Sequence, residues 1–316
     1  MSEVSLGTWQ LGARWGDKFD DNQALRTVHA ALDQGVNFVD TADVYSEGLS
    51  ENAVARAVKE RNERIYVATK CGRRLNPHTA EGYNEKNIRR FIEDSLRNTG
   101  FDALDLVQLH CPPTSVYRND RVFSILDRLK EEGKILYYGV SVEKVEEALL
   151  ALRYPNVATV QIIFNMFRLK PSERFFPVAK KNNVGILARV PLASGLLSGK
   201  MTADTTFSPG DHRTFNRDGK AFDKGETFSG VEFKKGLEAA AELSGLFPGS
   251  HPLSAWALKW TLMFDAVSCV IPGASTPEQA AKNTEVSGMP DLTTGQMRGV
   301  EEVYEKFIRD SVHHLW

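Results

Sequence analysis

Asp40, Lys70 and His110 each close a short apolar run, and Tyr45 follows Asp40 by five residues in Asp40-Thr41-Ala42-Asp43-Val44-Tyr45. An acid, a lysine and a histidine beside buried segments are costly unless they are paired. A free tyrosine has a pKa of about 10 and is a poor acid at neutral pH. A neighbouring Lys70 cation would stabilise the phenolate and lower that value. Asp40 could pair with Lys70, fixing it and keeping it charged. His110 could donate a hydrogen bond to a substrate oxygen and orient it. Together these supply a tuned proton donor, its tuner, an anchor for the tuner and an oxyanion partner, with no obvious acyl nucleophile. The set suits protonation of an alkoxide formed when hydride reaches a carbonyl carbon. Any one residue could belong to a structural ion pair, but three converging on one mouth weaken that alternative.

The elements that must position them alternate along the chain. Strand candidates are Val4–Trp9, Asn37–Ala42, Ile65–Cys71, Asp105–His110, Ile135–Val142, Ala158–Ile163, Gly185–Val190 and Val267–Pro272. Amphipathic stretches lie between them: Asn22–Gln34, Ser50–Arg61, Glu85–Arg97, Arg121–Glu132 and Pro171–Lys181. Eight apolar strands with intervening helices predict a parallel sheet closed into a (β/α)8 TIM barrel spanning residues 1–316 as one domain. An open doubly wound sheet usually carries G-x-G-x-x-G after its first strand. Gly7-Thr8-Trp9-Gln10-Leu11-Gly12 does not match, so the barrel is preferred. Its active site would lie at the C-terminal strand ends, where Ser141, Gln161 and Arg189 follow strands five, six and seven.

Beyond strand eight, Ser275-Thr276-Pro277-Glu278-Gln279 reads as a helix start, with Thr276 as N-cap and Gln279 as its capping-box partner. Helix N-termini favour anions. Leu192 to Lys200 adds small residues, hydroxyls and a lysine where a pyrophosphate could lie. The irregular stretch from Thr202 to Gly230 reads as a loop covering cofactor or substrate in preference to a disordered insertion.

Composition excludes several classes. Among 316 residues, 39 basic side chains nearly cancel 41 acidic ones, leaving a net charge of -2. Nothing there points to nucleic acid or an anionic membrane. No secretory signal is evident, and no apolar run approaches the roughly 20 residues that span a bilayer. Cys71, Cys111 and Cys269 are odd in number and far apart, which argues against a disulfide framework. A cytoplasmic globular protein is expected. No histidine or carboxylate cluster has metal-ligand spacing, so no metal is expected.

At this point the residues resemble the aldo-keto reductase superfamily, and nearest to bacterial members with arginine at the seventh strand end. The resemblance rests on Asn37 to Tyr45, Ala68-Thr69-Lys70, Asp105 to His110, Gly133-Lys134-Ile135 through Gly139-Val140-Ser141, and Ile271 to Ser275. It implies a tetrad with Tyr45 as general acid, tuned by Lys70 and Asp40, and His110 orienting the carbonyl. It implies that Ser141 and Gln161 hold the nicotinamide carboxamide, that Arg189 takes the ring-stacking position, and that Gly7, Thr8, Trp9 and Asp40 lie beside the nicotinamide ribose. Pro191, Leu192, Ser194, Gly195, Leu196, Ser198 and Lys200 match the pyrophosphate-covering loop, with Arg213. Gly273, Ser275, Gln279 and Asn283 match the segment contacting the adenosine half. The implied substrate is a small carbonyl or alcohol, the implied cofactor NADP(H) ahead of NAD(H), and the implied state a monomer.

Three departures accompany the resemblance. The N-terminal hairpin that plugs the barrel floor is not expected. Val142 stands where many members have asparagine. No lysine or arginine occurs at Gly273, Ser275 or Gln279, where cations would pair with a 2′-phosphate. Trp9 lines the substrate pocket or simply packs. Arg213 contacts phosphate or forms a surface salt bridge. Cys111 reads as a small filler, and His313 and His314 as solvated tail. Two rival functions are a nucleotide-binding regulatory subunit on the same barrel, keeping its tetrad but turning over slowly, and a metal-dependent barrel hydrolase.

Overall fold

The computed structural model describes residues 1–12, 18–247, 249 and 251–316. Its eight strands are β1 (Leu6–Gly7), β2 (Phe38–Asp40), β3 (Tyr66–Cys71), β4 (Leu104–His110), β5 (Ile135–Ser141), β6 (Val157–Ile163), β7 (Gly185–Arg189) and β8 (Val267–Ile271). They pair in chain order, each parallel to the next. Parallel bridges Val4–Val270 and Gly7–Gly273 join the last strand to the first. The fold is a (β/α)8 TIM barrel.

All eight expected strands form, most of them shorter than their apolar runs. The first two are trimmed hardest because the chain turns inward at their ends, where the Thr8 amide and hydroxyl both donate to the Asp40 carbonyl at 3.0 Å. Inside the barrel, Phe38, Ala68, Leu106, Leu187, Cys269 and Ile271 pack as one cluster. A larger apolar layer fills the space between strands and helices.

The helices are α1 (Asp21–Asp33), α2 (Leu49–Lys59), α3 (Glu85–Thr99), α4 (Asp120–Glu131), α5 (Val145–Ala151), α6 (Lys170–Lys181), α7 (His212–Phe215), α8 (Phe233–Gly245), α9 (Leu253–Leu262), α10 (Pro277–Thr284), α11 (Thr294–Phe307) and α12 (Arg309–Val312). Their ends follow local chemistry. Asp20, Asn84 and Asn119 cap α1, α3 and α4 with side-chain oxygens, and Gly100 closes α3 in the left-handed region. Thr276 caps α10 as the sequence predicts. The Gln279 side chain reaches one residue further back than expected, accepting from the Ser275 amide and hydroxyl rather than from Thr276. No helix among the described residues is long and apolar enough to cross a membrane, and Cys71, Cys111 and Cys269 are all free and buried.

Gly139 sits two residues before Ser141, at a register shift between β5 and β6. A Cβ there would lie 2.5 Å from the Thr159 carbonyl oxygen, which cannot retreat without moving a strand. Gly139→Ala should therefore destabilise the barrel by roughly 2 kcal/mol, an overpacking cost read as a lowered Tm in thermal denaturation.

Candidate active site

Asp40 ends β2 and Lys70 stands near the end of β3, its immediate neighbour. The Lys70 ammonium donates to Asp40 Oδ1 at 2.5 Å and to the Thr41 carbonyl at 3.0 Å. Asp40 Oδ2 accepts from Gln161 Nε2 at 2.8 Å and from Gln108 Nε2 at 3.3 Å. Both ions are almost fully shielded from solvent, with side-chain exposures of 1% for Lys70 and 5% for Asp40. Such a pair holds only if its remaining donors and acceptors are satisfied, and these contacts satisfy them. Gln108 escaped the sequence reading, although it lies two residues before His110 on the same face of β4.

The third Lys70 donor points to the Tyr45 hydroxyl at 3.4 Å. Tyr45 meets the His110 ring edge-on, with centroids 6.0 Å apart. Strand register aligns the rest, pairing His110 with Ser141 and Ser141 with Gln161.

The electrostatics correct one expectation. Burial pushes the Tyr45 hydroxyl above its ordinary value. The Lys70 cation pulls it down as anticipated, but burial, helped by the Asp40 charge, prevails. The phenol thus holds its proton at neutral pH. Burial would also lower Lys70, yet Asp40 and Tyr45 outweigh it and the ammonium titrates above its usual range. Burial, then the Arg73 and Lys70 cations, hold His110 well below its ordinary value, so its imidazole is neutral. Its Nδ1 has no hydrogen-bond partner among the described residues.

A second charged cluster lies beside this array and escaped the sequence reading almost entirely. Glu226, from the long loop after β7, accepts from Arg73 at 2.6 and 3.3 Å and lies 3.8 Å from Arg189. Arg189 also lies 2.9 Å from Glu143 and donates to the Val142 carbonyl at 3.1 Å. Burial pushes the Glu143 carboxyl up to about 8 against the pull of Arg189, with the Glu226 charge adding to the rise. Burial would raise Glu226 too, but Arg73 and Arg189 hold it well below the carboxylate range. Cys111, Glu143 and Glu226 bring their ligand-type atoms within 4.8 Å of one another. The two arginines already neutralise that charge, which makes the group an ion-pair cluster. Burial raises the Cys111 thiol, in keeping with a small filler.

These groups open on a cavity of about 480 Å³. Its wall includes Gly7, Thr8, Trp9, Asp40, Tyr45, His110, Ser141, Gln161 and Arg189. After β7 come Pro191, Leu192, Ser194, Gly195, Ser198, Lys200 and Arg213; after β8, Gly273, Gln279 and Asn283. Three expected residues lie off this lining, one of them Lys70, which meets it through Tyr45. Leu196 turns into the core, against the face of α8 at Gly236. Ser275 stays outside the lining, bonded to Gln279. Trp9 is on the wall, 4.7 Å from the His212 ring. Arg213 forms the salt bridge, pairing with Asp211 at 2.6 Å, and it also lines the cavity. Arg73 and Glu226 from loops, His212 from α7 and Lys282 from α10 also line the wall, and their separation along the chain hid them. The stretch from Thr202 to Gly230 is built from α7 and short 3-10 turns rather than a structureless insertion.

The Aldo/keto reductase family model matches residues 3–305. The chain belongs to the aldo/keto reductase family. It is an NAD(P)-dependent oxidoreductase of that family. The aldo-keto reductase YhdN of Bacillus subtilis is 30% identical, over 98% of this chain and 92% of that protein. The glycerol dehydrogenase AKR11B4 of Gluconobacter oxydans superposes with a TM-score of 0.80 at 32% identity, covering 98% of this chain and 93% of that one. The NADH-specific methylglyoxal reductase of Escherichia coli is 26% identical over 97% of this chain and 96% of its own length.

In this reductase Glu143 makes the active-site rim sensitive to pH. Its carboxyl is raised from the ordinary 4.5 to about 8, so the fold favours the protonated form. Stability from that preference is complete below pH 4.5 and is lost as pH rises through 8. Glu143→Gln mimics the protonated state throughout. Its Tm should match the parent near pH 5 and exceed it by several degrees near pH 9; a pH-independent difference would contradict a protonated Glu143.

Proposed function

We propose that this chain reduces an aldehyde or ketone to an alcohol, or catalyses the reverse, with a nicotinamide cofactor in the cavity and Tyr45 as proton donor. The observation that carries this is the Asp40–Lys70–Tyr45 array meeting neutral His110 at one cavity wall.

The donor set suits such a cofactor. Ser141 and Gln161 offer a hydroxyl and an amide at the ends of β5 and β6. Ser194, Gly195, Ser198, Lys200 and Arg213 offer small residues, hydroxyls and two cations for a pyrophosphate. At Gly273 a Cβ would meet nothing nearer than 4.0 Å, which leaves room for close approach of a ligand. Lys282, exposed on α10 and lining the cavity, supplies the cation that is missing at Gly273, Ser275 and Gln279. That supports NADP(H) over NAD(H).

When bound, the nicotinamide supplies hydride to the carbonyl carbon. Tyr45 gives its hydroxyl proton to the carbonyl oxygen, and the Lys70 ammonium stabilises the phenolate left behind. Asp40 keeps Lys70 charged and aimed. Neutral His110 donates a ring N–H to the same oxygen and fixes the approach of the carbonyl. Arg189, tied to Glu143 and to the Val142 carbonyl, braces the rim beside them.

A fluorescence titration with NADPH and NADH, followed by an aldehyde panel, tests the reading. Saturable binding with turnover is expected. Binding without turnover on any substrate would favour the regulatory alternative, and no binding would refute both. Tyr45→Phe should cut turnover by roughly 10²-fold or more, the usual worth of a positioned acid, while cofactor affinity stays near the parent value. Lys282→Met should weaken NADPH by about tenfold, the scale of one charge-assisted contact, and barely change NADH. Equal losses for both cofactors would remove Lys282 from the 2′-phosphate.

A further inference from the structure

The segment after α11 is anchored at two points: His314 is exposed, as expected of a solvated tail, but His313 is half-buried and Trp316 is buried. His313 lies 3.0 Å from the Tyr304 hydroxyl and 3.4 Å from Glu173. Beyond it, Trp316 is buried at 7% exposure. Its indole N–H donates to Asp223 Oδ1 at 2.8 Å, and the same oxygen accepts the Gly225 amide at 2.7 Å. Two glycines make room for the ring. A Cβ on Gly225 would come within 2.9 Å of the indole and one on Gly230 within 2.4 Å.

Arg168 stacks on that indole, its guanidinium carbon 3.8 Å from the ring centroid. Arg168 is 2% exposed, and its three guanidinium nitrogens have no hydrogen-bond partner among the described residues. A buried cation without such partners is expensive, and the π-face of tryptophan is the best aromatic surface to set against it. Asp223, on the far side of the indole N–H, adds a compensating charge.

We propose that Trp316 is a positioning residue for the active site: clamped on Arg168, it latches residues 222–230 so that Glu226 stays bridged between Arg73 and Arg189 on the catalytic cavity. Only two residues separate Asp223 from Glu226, so the loop has little slack between its anchor and its working carboxylate. The same loop is tied to the wall at Ser194, whose hydroxyl donates to the Glu226 carbonyl at 3.1 Å and accepts the Phe228 amide at 3.0 Å. Loss of the latch would therefore loosen both Glu226 and the Ser194 turn. Its effect on ligand binding rests on the function proposed above, whereas its effect on the loop does not.

Two readouts test it on the full chain. Hydrogen exchange of the 222–230 amides in the cofactor-free protein should quicken about tenfold or more in Trp316→Ala, as expected when a local closing interaction is lost. Trp316→Phe keeps an aromatic face on Arg168 but loses the indole N–H to Asp223, so its exchange should fall between that of the parent and that of Trp316→Ala. The NADPH dissociation constant should rise about tenfold in Trp316→Ala, and Trp316→Ala combined with Glu226→Gln should bind no more weakly than Glu226→Gln alone, because the two act through one element. Unchanged exchange in Trp316→Ala, or losses of affinity that add in the double variant, would overturn the latch. If the parent binds no NADPH, the proposed function fails while the exchange measurement still decides the latch.

Discussion

The site depends on one buried ion pair. Asp40 and Lys70 lie on adjacent strands above a layer of apolar side chains inside the barrel, and neither could be there alone. Removing one partner from such a pair typically costs about 3–5 kcal/mol, because the remaining charge is left without water or counterion. The surrounding polar groups all serve it: Thr41 takes one ammonium donor, while Gln161 and Gln108 occupy the free carboxylate oxygen. With those contacts made, the Lys70 donor aimed at Tyr45 is held in place. The strength of the pair thus appears as direction at the phenol rather than as net stability.

The Arg73–Glu226 and Arg189–Glu143 cluster solves a different problem. Two guanidinium groups and two carboxyls crowd the rim at a depth where four full charges would be costly. Burial resolves this by leaving Glu143 protonated while the two arginines keep Glu226 ionised. The rim then carries more positive than negative charge and, with Lys70, adds to the burial that holds His110 neutral. Burial likewise keeps the proton on Tyr45, against the pull of Lys70 and Arg73. Both rings are neutral because they are buried; the nearby cations reinforce this at the imidazole and oppose it at the phenol.

The barrel was legible because its strands are short apolar runs and its helices begin at recognisable caps. The meeting of Asp40, Lys70, Tyr45 and His110 was legible because polar residues ending apolar strands are conspicuous, and strand order brings them to one mouth. The sign of the Tyr45 shift was not, since it depends on how deeply the phenol is buried, and burial is a property of the assembled fold. Arg73, Glu143 and Glu226 come from three loops, and nothing in their local sequence shows that they meet. Leu196 shares a loop with cavity-lining neighbours, yet its side chain points the other way. Loop composition carries no such direction when the backbone leaves regular periodicity.

That irregular backbone explains how the wall after β7 is held. Val190, Ala193 and Ser194 all adopt positive φ, at 54°, 46° and 54°. For a β-branched residue such as Val190 this is a true outlier, of a kind costing about 1–3 kcal/mol and persisting only where its surroundings over-determine it. Here Asn165 does so. Its side-chain amide donates at 2.8 Å to the Val190 carbonyl and at 2.8 Å to the Ser229 hydroxyl, pinning the strained turn and the covering loop to the end of β6. Strand ends therefore place Asp40, Lys70 and His110, while one buried asparagine fixes the backbone that carries Ser194 and Gly195. A shape change in that turn would have to break the Asn165 contacts first, so the cavity wall is set by the scaffold before any ligand arrives.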